Sequence, residues 1–369
     1  MIRILQMIGN LEMGGSQAFI MNIYRKINKS KFQFDFIVDK DVASPYVEEI
    51  HKLGGKIYHV PSFRGYNILQ IYKQWNHFFR NHREYRVIHF HVRSYTSIII
   101  PIAKKYGLYT IQHSHSTSDS DHGHSTIKRI LERPLRNQAD YLMACSSEAG
   151  KWLFGDDVVN RKNYKNVNNA IDGERFLFNG DIRKKVRERY NIGNDIFVIG
   201  NVGRMAPPKN QIFILEIFAE LLKKNPHSRL ILVGDGDLRD ELLREANLLR
   251  IRDKCIFTGA QSDPSEFYQA MDVFLFPSRW EGLGIVAIEA QASGLPCVVS
   301  DKVPSRADIG AGLFHVMPLQ DDAMSWAIQL LNYRSTVRKN EEYYLRKSGY
   351  EINQSVEFFE KFYAEKNGL

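Results

Sequence analysis

Cysteine is scarce in this chain of 369 residues: Cys145, Cys255 and Cys297 stand far apart and without paired spacing. That argues against a disulfide framework and against a zinc ribbon. Long apolar runs are missing as well. The longest candidates, such as Thr96 to Ala103, have the length of a core element and fall well short of the roughly 18 residues of a membrane span. No repeat of solenoid period and no low-complexity tract is visible. The start, MIRILQMIG, alternates like a strand and lacks the basic region and cleavage site of a signal peptide, so the chain is expected in the cytoplasm. The fingerprint G-x-G-x-x-G is absent, which counts against a dinucleotide oxidoreductase.

What is present describes a globular protein: 44% of the residues are apolar and 25% charged. The length is too great for one ordinary core and suits two domains of about 150 to 200 residues. The net charge of +8 is unevenly spread, with +9 in residues 1–175 and −1 in the remainder. A basic first half suits an anionic partner, whether nucleic acid, an acidic membrane surface or a phosphorylated substrate; a merely solvated basic surface is the plain alternative.

Strand and helix patterns alternate along the whole chain, which favours parallel sheets covered by helices on both faces. Strands are expected near 3–8, 32–39, 56–60, 87–92, 109–113 and 141–146, with helices between them, for example over 17–27 and 68–79. A second series follows the irregular stretch IDGERFLFNGD, with strands near 197–202, 229–233, 255–258, 273–276 and 296–300. Two Rossmann-like domains in tandem follow, divided near Asp172 to Gly180. The aromatic-rich stretch from Ser355 to Lys366 reads as a helix that needs a surface to pack on. Ligands of open parallel sheets bind beyond the carboxyl ends of the strands, and those loops hold most of the unusual residues.

After the first strand, GNLEMGGSQAF offers Gly14 and Gly15 for close backbone approach and Ser16 as a cap for the next helix, a pattern that also fits ordinary helix initiation. In GNVGRMAPPKNQ, Arg204 leaves a strand end and Lys209 arrives at a helix start, where it opposes the helix dipole unless an anion occupies the gap. The two cations and the helix end would form a pocket for a diphosphate; a solvated lysine after a proline turn is the alternative. In LILVGDGD, the D-x-D of Asp235 and Asp237 has a metal-holding spacing, but it follows a strand and opens a helix. The better reading is a glycine turn with Asp237 as the cap.

Histidines occur as H-x-H pairs at His89/His91, His113/His115 and His122/His124. On a strand this spacing puts both rings on one face. The pairs sit in different loops, without a cysteine and without helical ligand spacing, so packed and cleft-lining histidines are expected in place of zinc. Arg93, Ser94, Ser114 and Ser116 enrich that neighbourhood in hydrogen-bond donors. In SRWEGLGIVAIEAQASGLP, Glu289 has Ile285, Val286, Ala292 and Ser293 as its helical neighbours, so its face is not polar and its carboxylate needs a hydrogen-bonding partner. Gly282 and Gly284 place Glu281 in the loop and Glu289 a turn inside a helix that starts near Ile285. Eight residues of partly helical chain span on the order of 10 Å, the reach from sugar to ribose in a nucleotide diphosphate sugar. Carboxylates accept paired hydrogen bonds from vicinal hydroxyls.

These residues resemble a known family, the retaining glycosyltransferases of family 4 with the GT-B fold. The resemblance lies in G-R-x4-K at Gly203 to Lys209, in S-x2-E-G-L-G-x4-E-A-x-A-x-G-x-P at Ser278 to Pro296, and in the pair Gly14 and Gly15. The HSHST stretch, the Arg93 region and the length look most like the capsular and exopolysaccharide branch. The resemblance implies an α/β fold of two Rossmann-like domains with parallel sheets facing across a cleft. Residues 1–175 would form the acceptor domain, 176–350 the nucleotide-sugar donor domain, and 351–369 a helix returning to the first domain. It further implies that Arg204 and Lys209 neutralise a leaving diphosphate, that Glu281 and the backbone of Gly282, Leu283, Gly284 and Ile285 hold the donor sugar, and that Glu289 holds the ribose. The family's strand-end histidine falls at His115 or His113, with His115 preferred; Arg93 joins them on the acceptor side. No metal and no cofactor is expected.

The expected function is retaining transfer of a hexose from a nucleotide sugar, a UDP-sugar, to a lipid-diphosphate-linked or saccharide acceptor in capsule or exopolysaccharide synthesis. The chain would dock peripherally on the anionic inner face of the plasma membrane. A nucleotide-sugar epimerase of the same fold is the alternative; it would need an acid and base pair at the sugar. A basic module for nucleic acid is disfavoured, because aromatic-interleaved basic stripes and recognition motifs are lacking.

Overall fold

The computed structural model describes residues 1–12, 14–40, 44–93, 95–115, 130–261 and 263–368. Ser94, Ser116, His122 and His124 lie outside the described residues. The chain forms two compact units, Met1–Ile171 with Ile352–Leu369, and Asp172–Glu351.

In the first unit the strands are β1 (Ile2–Met7), β2 (Phe32–Val38), β3 (Ile57–His59), β4 (Val87–Phe90), β5 (Tyr109–Ser114), β6 (Tyr141–Ala144) and β7 (Tyr164–Asn166). They lie in the order β3-β2-β1-β4-β5-β6-β7 and all pair in parallel. In the second unit β8 (Phe197–Val202), β9 (Ser228–Val233), β10 (Cys255–Gly259), β11 (Val273–Phe276), β12 (Cys297–Ser300) and β13 (Phe314–Met317) take the order β10-β9-β8-β11-β12-β13, again parallel throughout. Inner strands such as β8 and β11 are buried along their whole length, as strands with helices on both faces must be. The edge strands β7 and β13 leave no readable mark in the sequence. Each is three or four residues long, has one neighbour and stays partly exposed, so neither needs a continuous apolar run.

The terminal helix, Ile352–Lys366, packs on the first unit's core. Phe359 meets the edge of Phe19, Tyr363 that of Phe34, and Phe362 lies against Tyr141. Ile352 N–H donates to the carbonyl of Ile171, so the chain leaves and re-enters this unit at adjacent points. Cys145, Cys255 and Cys297 are buried free thiols. No helix among the described residues is long and apolar enough to cross a membrane.

Both strand orders reverse direction at one place, between β1 and β4 in the first sheet and between β8 and β11 in the second. A crevice opens at the carboxyl ends of strands flanking such a reversal, because the connections leave toward opposite sides. Those ends carry the glycine pair, the histidines, the Arg204 to Lys209 loop and the Glu281 loop.

Candidate functional site

In the second unit the loops after β8 and β11 are laced together. Arg279 N–H donates to Pro208 O at 2.8 Å, and Asn210 Nδ2 donates to Pro277 O at 3.1 Å. This brings Lys209 onto Glu281: Nζ donates to Oε1 at 2.7 Å and to Oε2 at 2.8 Å. The Glu281 side chain is 8% exposed and that of Lys209 25%. Lys209 also lies 5.4 Å from the centroid of the Phe276 ring, at the end of β11.

Two expectations about this loop are corrected. Lys209 does not start the helix; it closes a 3-10 turn, Pro207–Lys209, after which Asn210 takes a left-handed conformation and the helix begins at Gln211. Its charge is answered by Glu281, so opposition to the helix dipole is not the issue. Asp237 is not a cap either: the helix Arg239–Leu248 begins two residues later, without a side-chain cap, and Asp237 accepts from Arg204 Nη2 at 3.0 Å in an exposed pair. The turn reading of GDGD holds. A Cβ at Gly234 would come within 2.1 Å of Gly203 O, and one at Gly236 within 2.5 Å of Met205 O, so the glycines let this turn press against the loop that carries Arg204.

Glu281 lies in a loop and Glu289 is the fifth residue of the helix Ile285–Ala292. Gly284 caps that helix at φ +82°, where a side chain would be strained and would also crowd Val303. Among the described residues no acceptor takes the N–H of Gly282, Leu283, Gly284 or Ile285, so the donors of this helix start are unclaimed. The carboxylate of Glu289 does have the partner that its apolar neighbours demand: Tyr268, buried on the preceding helix Ser265–Ala270, donates from its hydroxyl to Oε2 at 2.7 Å. Burial pushes the Glu289 carboxyl up to about 7, against the opposing pull of the Tyr268 hydroxyl and Arg175. Oε1 has no hydrogen-bond partner among the described residues, and Glu289 remains partly exposed.

Sequence reading missed Tyr268, and nothing local could have revealed it, because the pair joins two helices. It also missed Arg338, which donates to the carbonyls of Tyr268, Gln269, Met271 and Ser293. One half-buried guanidinium thereby ties the end of the Tyr268 helix to the end of the Glu289 helix, where carbonyl dipoles favour a cation. Burial lowers its pKa to about 9.

In the first unit Gly14 caps the helix Gly15–Lys26 in an extended conformation. Ser16 makes no cap; its hydroxyl donates to Gln17 Oε1 at 2.9 Å, a correction that follows from the helix starting one residue before it. A Cβ at Gly15 would meet nothing within 4 Å. His89, His91, His113 and His115 do not occupy separate loops. Parallel pairing of β4 with β5, His89 opposite Ile111, stacks them into one cluster on one face of the sheet.

Hydrogen bonds fix the order of that cluster. His91 Nε2 faces the side-chain oxygen Oε1 of Gln6 at 2.9 Å and therefore carries the proton. Its Nδ1 then accepts from His115 Nε2 at 2.7 Å, which leaves His115 Nδ1 as a buried lone pair without a partner. His89 Nδ1 pairs with the Tyr363 hydroxyl at 2.8 Å and its Nε2 with His113 Nδ1 at 3.2 Å. Burial lowers the pKa of all four, that of His115 to about 3, so the cluster is neutral at physiological pH. Gln6, the one polar residue of β1 besides Arg3, is a legible clue to this network.

His89, His91 and His113 offer ring nitrogens within 4.8 Å of one another, a spacing that a metal could use. Hydrogen bonds already engage the nitrogens of His89 and His91, and His113 Nδ1, in a continuous network. Arg93 lies over the Trp152 ring at 4.5 Å and near Glu132 at 3.5 Å. Beyond the ends of β1, β2 and β3 opens a cavity of about 990 Å³ lined by Leu11, Val38, Lys40, Val47, Ile57 and His59, among others.

Comparison with known proteins gives this arrangement its context. Residues 182–347 match the family model "Glycosyl transferases group 1", and residues 13–175 match "Glycosyltransferase Family 4". The chain is 32% identical over 362 residues to the putative glycosyltransferase EpsF of Bacillus subtilis, covering 96% of this chain and 94% of the relative. It is 32% identical over 141 residues to an Escherichia coli UDP-Gal:alpha-D-GlcNAc-diphosphoundecaprenol alpha-1,3-galactosyltransferase, 37% of this chain and 36% of that one. Among solved structures, Anabaena Alr3699/HepE in complex with UDP and glucose superposes with a TM-score of 0.78 at 17% identity, over 99% of this chain and 100% of the other. The nucleotide-sugar epimerase alternative finds no support in these matches. With both halves matched and a relative similar along nearly the whole length, the chain belongs to the family 4 glycosyltransferases, with the GT-B fold.

Proposed function

We propose that this glycosyltransferase moves a sugar from a UDP-sugar to a lipid-diphosphate-linked or saccharide acceptor, with retention of anomeric configuration, in exopolysaccharide or capsule synthesis at the cytoplasmic face of the membrane. The observation that carries the donor side is the contact of Lys209 with Glu281 beside a helix start whose N–H groups are unclaimed, with Glu289 held by one oxygen only. A diphosphate suits Lys209, Arg204 and the unclaimed N–H groups of Gly282 to Ile285, whose combined field is positive. Glu281, once released from Lys209, can accept from sugar hydroxyls, and Glu289 Oε1 from the ribose. The open space over Gly15 suits close approach of a ligand to the start of the first helix. The neighbours' printed ligands, UDP and glucose, and the relatives' names favour UDP and an exopolysaccharide.

The chemistry asked of these residues is electrostatic. Breaking the bond from sugar C1 to the phosphate oxygen builds positive charge on the ring and negative charge on the diphosphate. Preorganised Arg204 and Lys209 stabilise that separation more than they stabilise the bound donor. The acceptor oxygen forms its bond to C1 on the face the phosphate leaves, and its proton passes to the departing phosphate oxygen. No metal is required in this scheme. On the acceptor side His115, with His113 and Arg93, would orient the incoming hydroxyl; His115 Nδ1 is a lone pair suited to accept from it.

The test is incubation with a panel of UDP-sugars and a synthetic polyprenyl-diphosphate sugar, in the presence of a chelator, with release of UDP followed and the product anomer read by NMR. An inverted product, or donor consumption without acceptor, sinks the proposal.

A further inference from the structure

Between His51 and Arg83 the chain has no aspartate or glutamate in 33 residues, against six lysines and arginines. The middle of this stretch builds an exposed apolar surface. Tyr66 is 80% and Leu69 77% exposed, and Ile68 and Tyr72 are exposed as well, four large hydrophobic side chains within seven residues. Core packing accounts for the opposite side of the helix Ile68–Asn81, where Ile71, Trp75 and Phe79 are fully buried. At 3.6 residues per turn, Leu69, Tyr72, Lys73, Asn76 and Arg80 fall within about 100° of one another on the outward side. Lys73 and Arg80 are exposed and form no ion pair among the described residues.

The display is fixed in place. Asn67 accepts from Arg64 N–H at 2.8 Å and donates to Ser62 O at 3.0 Å, and Phe63 stacks on the buried Tyr95 with centroids 5.5 Å apart. These ties hold Tyr66 and the first turn of the helix outward. Aromatic and aliphatic side chains flanked by lysine and arginine on one helix face match the boundary between anionic headgroups and acyl chains.

We infer that the outward face of the helix Ile68–Asn81, with Tyr66 before it, docks the chain on an anionic lipid bilayer, Leu69 and Tyr72 entering the headgroup boundary and Arg64, Lys73 and Arg80 facing lipid phosphates. The inference rests on the reading of a membrane-bound acceptor and specifies the surface that meets the membrane. An apolar face covered by a second copy of the chain would not need this stretch to be free of acids, since like charges then meet.

The experiment is co-sedimentation of the full chain with vesicles of phosphatidylcholine containing 30% phosphatidylglycerol, with pure phosphatidylcholine vesicles and with 0.5 M salt. The wild type is expected to bind the anionic vesicles, to bind the neutral ones far less, and to be released by salt. The double substitution Lys73→Gln, Arg80→Gln should weaken partitioning roughly 30-fold, at about fivefold per cation. The double substitution Leu69→Ser, Tyr72→Ser should weaken it by about tenfold or more. Both variants should keep the wild-type circular dichroism and the wild-type rate with a water-soluble acceptor. Failure of the wild type to bind anionic vesicles overturns the inference, as does equal binding by the variants, which would move the docking surface elsewhere. A concentration-dependent dimer that the Leu69, Tyr72 variant abolishes, without vesicle binding, assigns the face to a second copy and likewise overturns it. The membrane-acceptor reading fails separately, if transfer to a polyprenyl-diphosphate sugar is absent while vesicle binding persists.

Discussion

Lys209 and Glu281, 72 residues apart in sequence, are each other's counter-ion: one ammonium spans both oxygens of one carboxylate, at 2.7 and 2.8 Å. The cation suited to a diphosphate and the acid suited to a sugar thus hold one another in place. Under the proposed function a donor draws the two apart, and each half of the donor supplies what the released partner loses.

Arg204 and Lys209 should therefore separate under alanine substitution. Arg204→Ala removes one exposed pair with Asp237 and is expected to change stability by less than about 1 kcal/mol while lowering turnover roughly 100-fold. Lys209→Ala leaves a nearly buried carboxylate without a partner, so it should lower turnover at least as much and also cost about 1–3 kcal/mol of stability. Glu281→Gln added to Lys209→Ala should recover part of the stability and none of the turnover. Urea unfolding beside UDP-release kinetics checks both.

Donor affinity should depend on pH through Glu289. The carboxylate accepts from hydroxyls better than the acid does, so donor KM is expected to rise as pH falls below about 7, approaching about tenfold per unit. Tyr268→Phe keeps the ring and removes the hydroxyl that favours the charged form, and should shift this limb to higher pH with little change in kcat. Glu289→Gln should raise KM and abolish the limb. The folded chain holds this proton to about 7 while an unfolded one releases it near 4.3, so Glu289 contributes stability at low pH that is lost as pH rises through that window.

The histidine cluster works in the opposite direction. Its pKa values are depressed, so between the ordinary histidine value of about 6.5 and the lowered folded values the unfolded chain binds more protons than the folded one. Stability should fall as pH drops below about 6.5, by up to roughly 1.4 kcal/mol per unit for each of the four rings. Melting temperatures between pH 7.5 and 5 measure the slope. His89→Asn should flatten it, and a slope unchanged by that substitution contradicts a buried neutral cluster.

Two glycines give a further contrast. Gly284→Ala forces a side chain into a left-handed position and against Val303, and should cost about 1–2 kcal/mol. Gly15→Ala meets open space and should leave the melting temperature unchanged; a raised donor or acceptor KM in that variant marks ligand approach at the helix start.

The sequence alone was enough for the α/β class and most inner strands, because a strand covered on both faces must be apolar along its length and FVIGNV or VFLF can be little else. It also separated Glu281 in a loop from Glu289 in a helix, since glycines at 282 and 284 forbid the helix there and the apolar run after them demands it. Backbone preference and burial act over a few residues, and such information survives in a linear reading. The pairings did not survive it. Lys209 with Glu281, Arg204 with Asp237, Tyr268 with Glu289 and the convergence of four histidines on β4 and β5 depend on which strands lie side by side. Strand order is decided by packing over the whole domain, and a carboxylate's partner is whichever donor that packing delivers.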